Sequence, residues 1–311
     1  MKRVSLPFRL LLITLLISSL VLTGCAKEAD DEKPSVVTTI GMIADIAENL
    51  AGDFVKVTAL MGPGVDPHLY KATASDVQKL DRASLILYGG LHLEGKMGDV
   101  FETLGAMKPT VAVSEAIPSE YLFAGDPHVW FDVSLWLYAV DAAHEALVEL
   151  LPEHRDAIDA NYERYHSQLV ELDAYVRQMA ERLSEEQRVL ITAHDAFEYF
   201  GRAYGFEVKG MQGISTVSEA GTRNVQELAA YIAEHKIPAI FIETSVPLRM
   251  VHSLEQAVQA RGFAVTIGGG LYSDAMGDKG SVEGTFKGMV MHNIDTIVGA
   301  LAPQEDIQHG Q

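Results

Sequence analysis

The 311-residue sequence has one cysteine, Cys25. A lone cysteine cannot close an internal disulfide, so the chain is not a disulfide scaffold and Cys25 has another use. Basic residues are scarce as well: 24 Lys and Arg stand against 43 Asp and Glu, for a net charge of −19. That balance argues against nucleic acid and anionic lipid as partners and mildly favours attraction of cations. No His-Glu-x-x-His helix occurs, and no Ser or Cys nucleophile has a base beside it, which leaves little support for hydrolase chemistry. There is no long His/Asp/Glu-rich insert, no internal repeat and no separate binding module. Proline and glycine are missing from residues 153–188, a stretch that nothing local would break.

The first residues carry a targeting signal. Lys2, Arg3 and Arg9 precede an apolar run from Leu10 to Leu22, which is too short for a comfortable membrane span and reads as the hydrophobic part of a secretion signal. The run ends in "LTGC", where Thr23 and Gly24 before Cys25 resemble a bacterial lipobox. Cleavage there would leave Cys25 as a lipid-bearing N-terminus; the plainer alternative is an ordinary signal peptide with an incidental cysteine. Losing residues 1–24 removes three basic groups and no acid, which brings the chain to about −22. "AKEADDEKPS" follows, with the composition of a tether.

The remainder, about 265 residues, suits two lobes rather than one minimal core. Short β-branched runs at 36–41, 55–61, 84–88 and 110–113 predict one set of strands. Runs at 188–193, 206–210, 238–243 and 263–267 predict a second. Helical patterns at 43–51, 73–82, 94–106, 195–204, 222–235 and 247–260 alternate with them. The expected fold is therefore α/β, with two (β/α)-type lobes and parallel-rich sheets. Between the sets, Ile158, Tyr162, Tyr165, Leu169, Leu172, Val176, Met179 and Leu183 recur at three- and four-residue steps. They predict one long, stiff amphipathic helix of roughly 30 residues joining the lobes. The alternative is a helix that packs wholly within one lobe. The expected divisions are a signal peptide at 1–24, a tether at 25–35, an N-terminal metal-binding lobe at 36–153, a linking helix at 154–187, a C-terminal metal-binding lobe at 188–302 and a tail at 303–311.

The tripeptide Asp-Pro-His occurs twice, at 66–68 and 126–128. Alone it is only a turn signal. Its position gives it meaning, because His68 follows the loop leaving the strand at 55–61 and His128 follows the loop leaving the strand at 110–113. Loops at the carboxyl ends of parallel strands converge on one rim, where ligands bind. In the second set, His194 ends a buried-looking strand, and the glycine-rich loop after 263–267 carries Asp274. Three imidazoles and a carboxylate suit zinc, and also admit manganese or, less favourably, iron. Glu243, closing the strand "PAIFIE", is a candidate partner for a ligand imidazole or a helix cap. Asp66 and Asp126 would orient ligands or only shape their turns. His92, after a strand end, is a candidate neighbour of the site. His144, His154, His166, His235 and His252 read as surface residues, and His292 as a hydrogen-bonding residue of its helix.

With the lipobox, the segments "GPGVDPHLY", "ATASDVQKL", "GLHLEGKM", "DPHVWFD", "TAHDAFEYFGRAYGF", "LYSDAMG" and "GTFKGMVMHNIDTIV" occur in this order. Together they resemble the zinc/manganese solute-binding lipoproteins of ABC importers, the TroA/ZnuA-type metal-binding family. The resemblance implies two lobes joined by a rigid helix with one divalent ion held between them as cargo. It also implies a monomer, lipid-anchored outside the cytoplasm through Cys25, that serves a permease and its ATPase. Residue by residue it carries the ligand role onto His68, His128, His194 and Asp274. Relatives with Glu at the third position tend to be manganese proteins, whereas here that position is His194. Zinc-dedicated relatives often carry a His-rich loop, which this chain lacks, so zinc and manganese both stay open. The resemblance further implies that loss of metal loosens a helix of the C-terminal lobe near His194 or Asp274. Three other function classes were weighed. A zinc hydrolase would need an open coordination position, surface adhesion could only be secondary, and siderophore or cobalamin binding would need an aromatic pocket.

Overall fold

The computed structural model describes residues 33–218 and 220–302. The signal segment, Cys25, most of the tether and the tail at 303–311 lie outside the described residues. The first lobe is built on β1 (Ser35–Thr38), α1 (Gly41–Ala51), β2 (Lys56–Ala59), α2 (Ala74–Arg82), β3 (Leu85–Tyr88), α3 (Gly98–Gly105) and β4 (Thr110–Ala112). Its four strands are all parallel, in the order β2-β1-β3-β4. The central strands show why: Val36, Val37, Leu85, Ile86 and Leu87 are buried on both faces, the condition under which parallel sheets form. α2 starts on a capping box in which Thr73 and Asp76 each satisfy the other's backbone N–H.

Two long helices follow, α4 (Val133–Leu150) and α5 (Arg155–Ala180). The periodicity from Ile158 onward anticipates α5, while α4 is not among the expected helices. α5 is shorter than the expected 154–187. It ends at Ala180, and Ser184 and Gln187 then form a new capping box for a single 3-10 turn. At 26 residues it spans about 39 Å. It packs against α1 and α4 on one side and against later elements on the other, so it is shared by both lobes. Tyr165 in its middle donates a 2.7 Å hydrogen bond to Asp45 of α1.

The second lobe comprises β5 (Val189–His194), α6 (Glu198–Tyr204), β6 (Glu207–Gln212), α7 (Thr222–His235), β7 (Ala239–Glu243), α8 (Arg249–Gln259), β8 (Thr266–Leu271) and α9 (Phe286–Leu301). β5 pairs with β6 and β7 with β8, both in parallel, and β5 runs beside β7. The second lobe thus has two parallel strand pairs packed side by side rather than one continuous four-stranded ladder. α7 and α8 cover one face over a core of Ile191, Leu228, Ile232, Ile240, Leu254 and Val258. α9 lies on the other side against β8 and α5.

The eighth strand departs from its expected place at 263–267. Gly268, Gly269 and Gly270 belong to β8 itself rather than to a loop. The reason is the close approach of α9. A Cβ on Gly268 would sit 2.7 Å from the Ala300 Cβ and 2.8 Å from Phe241 Cε1, and Gly269 adopts φ +144° beside Thr296. Glycine is therefore the residue that lets a helix seat on this strand. Gly268→Ala is expected to destabilise the metal-free protein by about 1–3 kcal/mol through overpacking, measured as a lower urea midpoint at unchanged slope.

Candidate metal centre

Each half of the Asp-Pro-His repeat forms the same local turn. Asp66 Oδ1 accepts the backbone N–H of His68 at 2.8 Å, and Asp126 Oδ1 accepts that of His128 at 2.9 Å. The aspartate thereby folds the chain back and sends the imidazole two residues on away from the sheet. β2 and β4 are the two edge strands of the first sheet, so long loops are needed to carry His68 and His128 inward. His194 needs no loop, because it is the last residue of β5. Asp274 follows β8 by three residues, and Trp130 of the first lobe reaches across to donate to the Ser273 carbonyl at 3.1 Å.

The four side chains meet. Their potential donor atoms all lie within 4.8 Å of one another. His68 Nε2 is 3.2 Å from His128 Nε2, His128 Nε2 is 3.3 Å from Asp274 Oδ1, and His194 Nε2 is 3.5 Å from Asp274 Oδ2. Donors arranged tetrahedrally about an ion at zinc–nitrogen distance stand roughly 3.3 Å apart, so these separations are the edges of a cation site. Both carboxylate oxygens face imidazoles. Binding through one oxygen makes a four-donor site, and binding through two makes a five-donor site that is friendlier to manganese.

The fit to a cation does not rest on spacing alone. His128, His194 and Asp274 are at most 1% exposed, yet His194 Nε2 and Asp274 Oδ1 have no hydrogen-bond partner. Orphaned buried polar atoms cost about 1–3 kcal/mol each, and a shared metal ion would satisfy both.

A surrounding layer fixes the rings. Asp126 Oδ1 also takes the Nδ1–H of His128 at 2.7 Å. Glu243 accepts from both the backbone N–H of His194 at 2.9 Å and its Nδ1–H at 2.5 Å. β5 and β7 lie side by side and end at the same level, so their terminal residues face each other. In each case the inner nitrogen is a donor, which leaves Nε2 bare toward the cluster. Ser245 donates to Asp274 Oδ2 at 3.2 Å, and Thr216 of the second lobe donates to Asp66 Oδ2 at 2.5 Å. Neither hydroxyl was singled out from sequence, and a single serine or threonine in a loop carries no local signal. His92 is exposed, at φ +65°, and stays outside the cluster. The buried charged residue of its segment is Glu94, which accepts from Thr39 and from the amides of Gly89 and Gly90. His292 bonds the Gly270 carbonyl at 2.9 Å, in line with its expected helix role.

Electrostatics divide the imidazoles. Burial pushes His68 down to about 4, so it is neutral at physiological pH. Burial also opposes charge on His128 and His194, but for His128 the carboxylates of Asp126 and Asp274, and for His194 those of Glu243 and Asp274, outweigh it and raise both. Asp274 resists its own burial, and the facing imidazoles hold it well below the ordinary carboxylate range. The shifts of His128 and His194 both favour a proton on these two rings, and a cation binding there competes with it.

Two lobes in parallel α/β form, linked by a shared helix and closed over three imidazoles and a carboxylate, define a metal-binding protein of the two-lobed, helix-linked class. Residues 36–300 match the family model of ZnuA, the zinc-uptake complex component A, periplasmic, and the chain belongs to that family. It is 59% identical over 284 residues to the zinc-binding protein TroA of Treponema pallidum (strain Nichols), covering 90% of this chain and 92% of the relative. It is 49% identical over 301 residues to the manganese-binding lipoprotein MntA of Bacillus subtilis (strain 168), covering 94% and 98%. The solved structure of the periplasmic zinc-binding protein TroA from Treponema pallidum superposes with a TM-score of 0.85 at 60% identity, covering 87% of this chain and 99% of that one.

Removing either orienting carboxylate, by Asp126→Asn or Glu243→Gln, is expected to weaken metal binding by about 10–100-fold while all four donors remain. Competition against a chelator of known affinity measures it. Equal affinity in both variants and wild type would mean that the rings are held by packing alone.

Proposed function

We propose that this chain is the extracytoplasmic binding component of an ABC importer. In that role it captures one zinc or manganese ion between its lobes through His68, His128, His194 and Asp274 and hands it to a membrane permease driven by an ATPase subunit. The observation that carries this reading is that His194 Nε2 and Asp274 Oδ1 are buried without hydrogen-bond partners inside a cluster drawn from both lobes. A binding role fits better than hydrolysis, because four protein donors leave no open position for substrate and water. Exposed Leu69, Phe123, Val217 and Leu248 lie on loops at the carboxyl ends of strands in both lobes. That face gives a permease apolar surface from each lobe at once. Attachment through a lipid on Cys25, the monomeric state and the division of the chain at 153–154 and 187–188 belong to the same proposal. Among the described residues, no helix is long and apolar enough to cross a membrane.

The donor set decides affinity more than it decides biology. Imidazole-rich sites hold zinc more tightly than manganese whatever their task, and the two relatives named above differ in the ion their names state. Competitive titration of chelator-stripped protein is expected to give one zinc per chain, bound more tightly than manganese. His194→Glu, which replaces a nitrogen donor by a carboxylate, is expected to narrow that gap in favour of manganese. Failure of both ions to bind one to one would sink the four-donor site.

Binding is also expected to release protons. The pKa values of His128 and His194 are raised by the facing carboxylates, so an incoming ion competes with protons for these rings. Apparent affinity should therefore fall as pH falls, roughly tenfold per pH unit for each proton displaced. Calorimetry in buffers of different ionisation enthalpy reads the proton count directly.

A further inference from the structure

The donor side chains are at most 5% exposed, so an ion cannot touch them from solvent as the structure stands. A cavity of about 270 Å3 lies beside them, between α1 and the segment 275–284 of the second lobe, and Asp274 forms part of its wall. Resting on the reading that the four donors hold a divalent cation, we propose that this cavity is the passage through which a partly hydrated cation reaches Asp274 and leaves it.

Three features support a passage rather than a packing defect. Asp45 and Glu48 of α1 are among the lining residues together with Asp274, so a cation in the cavity meets acidic residues rather than a purely apolar wall. Met276, two residues beyond Asp274, lines the same space, and its Cε would come within 3.1 Å of a Cβ on Gly41. The absent side chain at Gly41 gives the thioether room to lie over α1. An unbranched methionine is the apolar side chain best able to swing aside and offers a soft sulfur to a passing metal. Finally, Lys279 of the second lobe donates to Glu48 of the first at 2.7 Å, with both groups open to solvent. An exposed pair of this kind opens at small cost, and while closed it sets a positive charge among the cavity-lining residues.

Stopped-flow zinc association and chelator-driven zinc dissociation test this together with the equilibrium constant. Filling the cavity by Ala44→Leu or Ala59→Leu is expected to slow both rates by roughly threefold or more, by the same factor, with the equilibrium constant unchanged. Lys279→Ala is expected to speed both by about two- to threefold. Filled variants that exchange zinc as fast as wild type, or faster, overturn the passage and point to parting of the lobes as the route. A Lys279→Ala variant that changes association alone reports only the loss of a repelling charge and also counts against it. If Ala44→Leu loses its cooperative thermal transition, Ala59→Leu, half-exposed on an edge strand, decides. A wild-type protein that binds no zinc removes the four-donor reading, and this passage with it.

Discussion

Burying the carboxylate of Asp274 among three imidazoles is unfavourable unless positive charge is buried with it, and much of the surrounding structure distributes that charge. Glu243 and Asp126 draw protons onto His194 and His128 from behind, which keeps the cluster neutralised when no ion is present. The same two contacts turn the bare Nε2 atoms inward. One set of carboxylates therefore stabilises the metal-free state and orients the donors for the metal-bound state. Burial acts in the opposite direction on His68, which has no carboxylate bonded to its ring and stays a neutral donor.

The candidate donors come from both lobes, and other contacts also join the lobes. Phe131 stacks on Phe197 with centroids 4.1 Å apart, Trp136 stacks on Phe286 at 5.7 Å, and the Tyr204 hydroxyl accepts from the amide of Val133. α5 packs on elements of each lobe. Wide hinge opening would have to break this apolar seam, whereas local movement has cheaper options. The segment around 213–218, largely exposed and tied to the first lobe by Thr216 and Asp66, is one place where few buried contacts oppose motion. Loss of charge balance at Asp274 would be felt first at such margins.

The two lobes can be compared at the ends of their central strands. In the first sheet β1 and β3 are the middle strands, and in the second lobe β5 and β7 lie side by side, their last residues in contact. In the second lobe that point holds His194 and Glu243. In the first it holds Thr39, the amides of Gly89 and Gly90, and Glu94, which accepts from all three. There the carboxylate is spent on holding the chain, and Leu91 and His92 take positive φ around it. The first lobe instead supplies its ligands from its edge strands through the repeated Asp-Pro-His turn.

Sequence alone indicated the alternation of strands and helices, seven of the eight strands near their observed places and a long helix between the two sets, and it singled out the four candidate donors. Buried β-branched runs, a 3.6-residue apolar period and histidines placed after strand ends are local patterns with direct physical meaning. It also indicated Glu243, because a glutamate that ends a strand beside another strand end has few places to go. Tertiary structure decided the rest. Whether Gly268–Gly270 belonged to a loop or to β8 depended on α9 seating against them, and no neighbour in sequence announces that helix. The cross-lobe contacts of Thr216 and Trp130 join residues 150 and 143 positions apart, and Ser245 reaches Asp274 from the neighbouring loop of its own lobe. Such contacts arise only when the chain is closed, since a single hydroxyl or indole leaves no periodicity to read. The protonation pattern of the imidazoles belongs there too. Burial and facing carboxylates set it, and both are properties of the packed molecule rather than of the order of its residues.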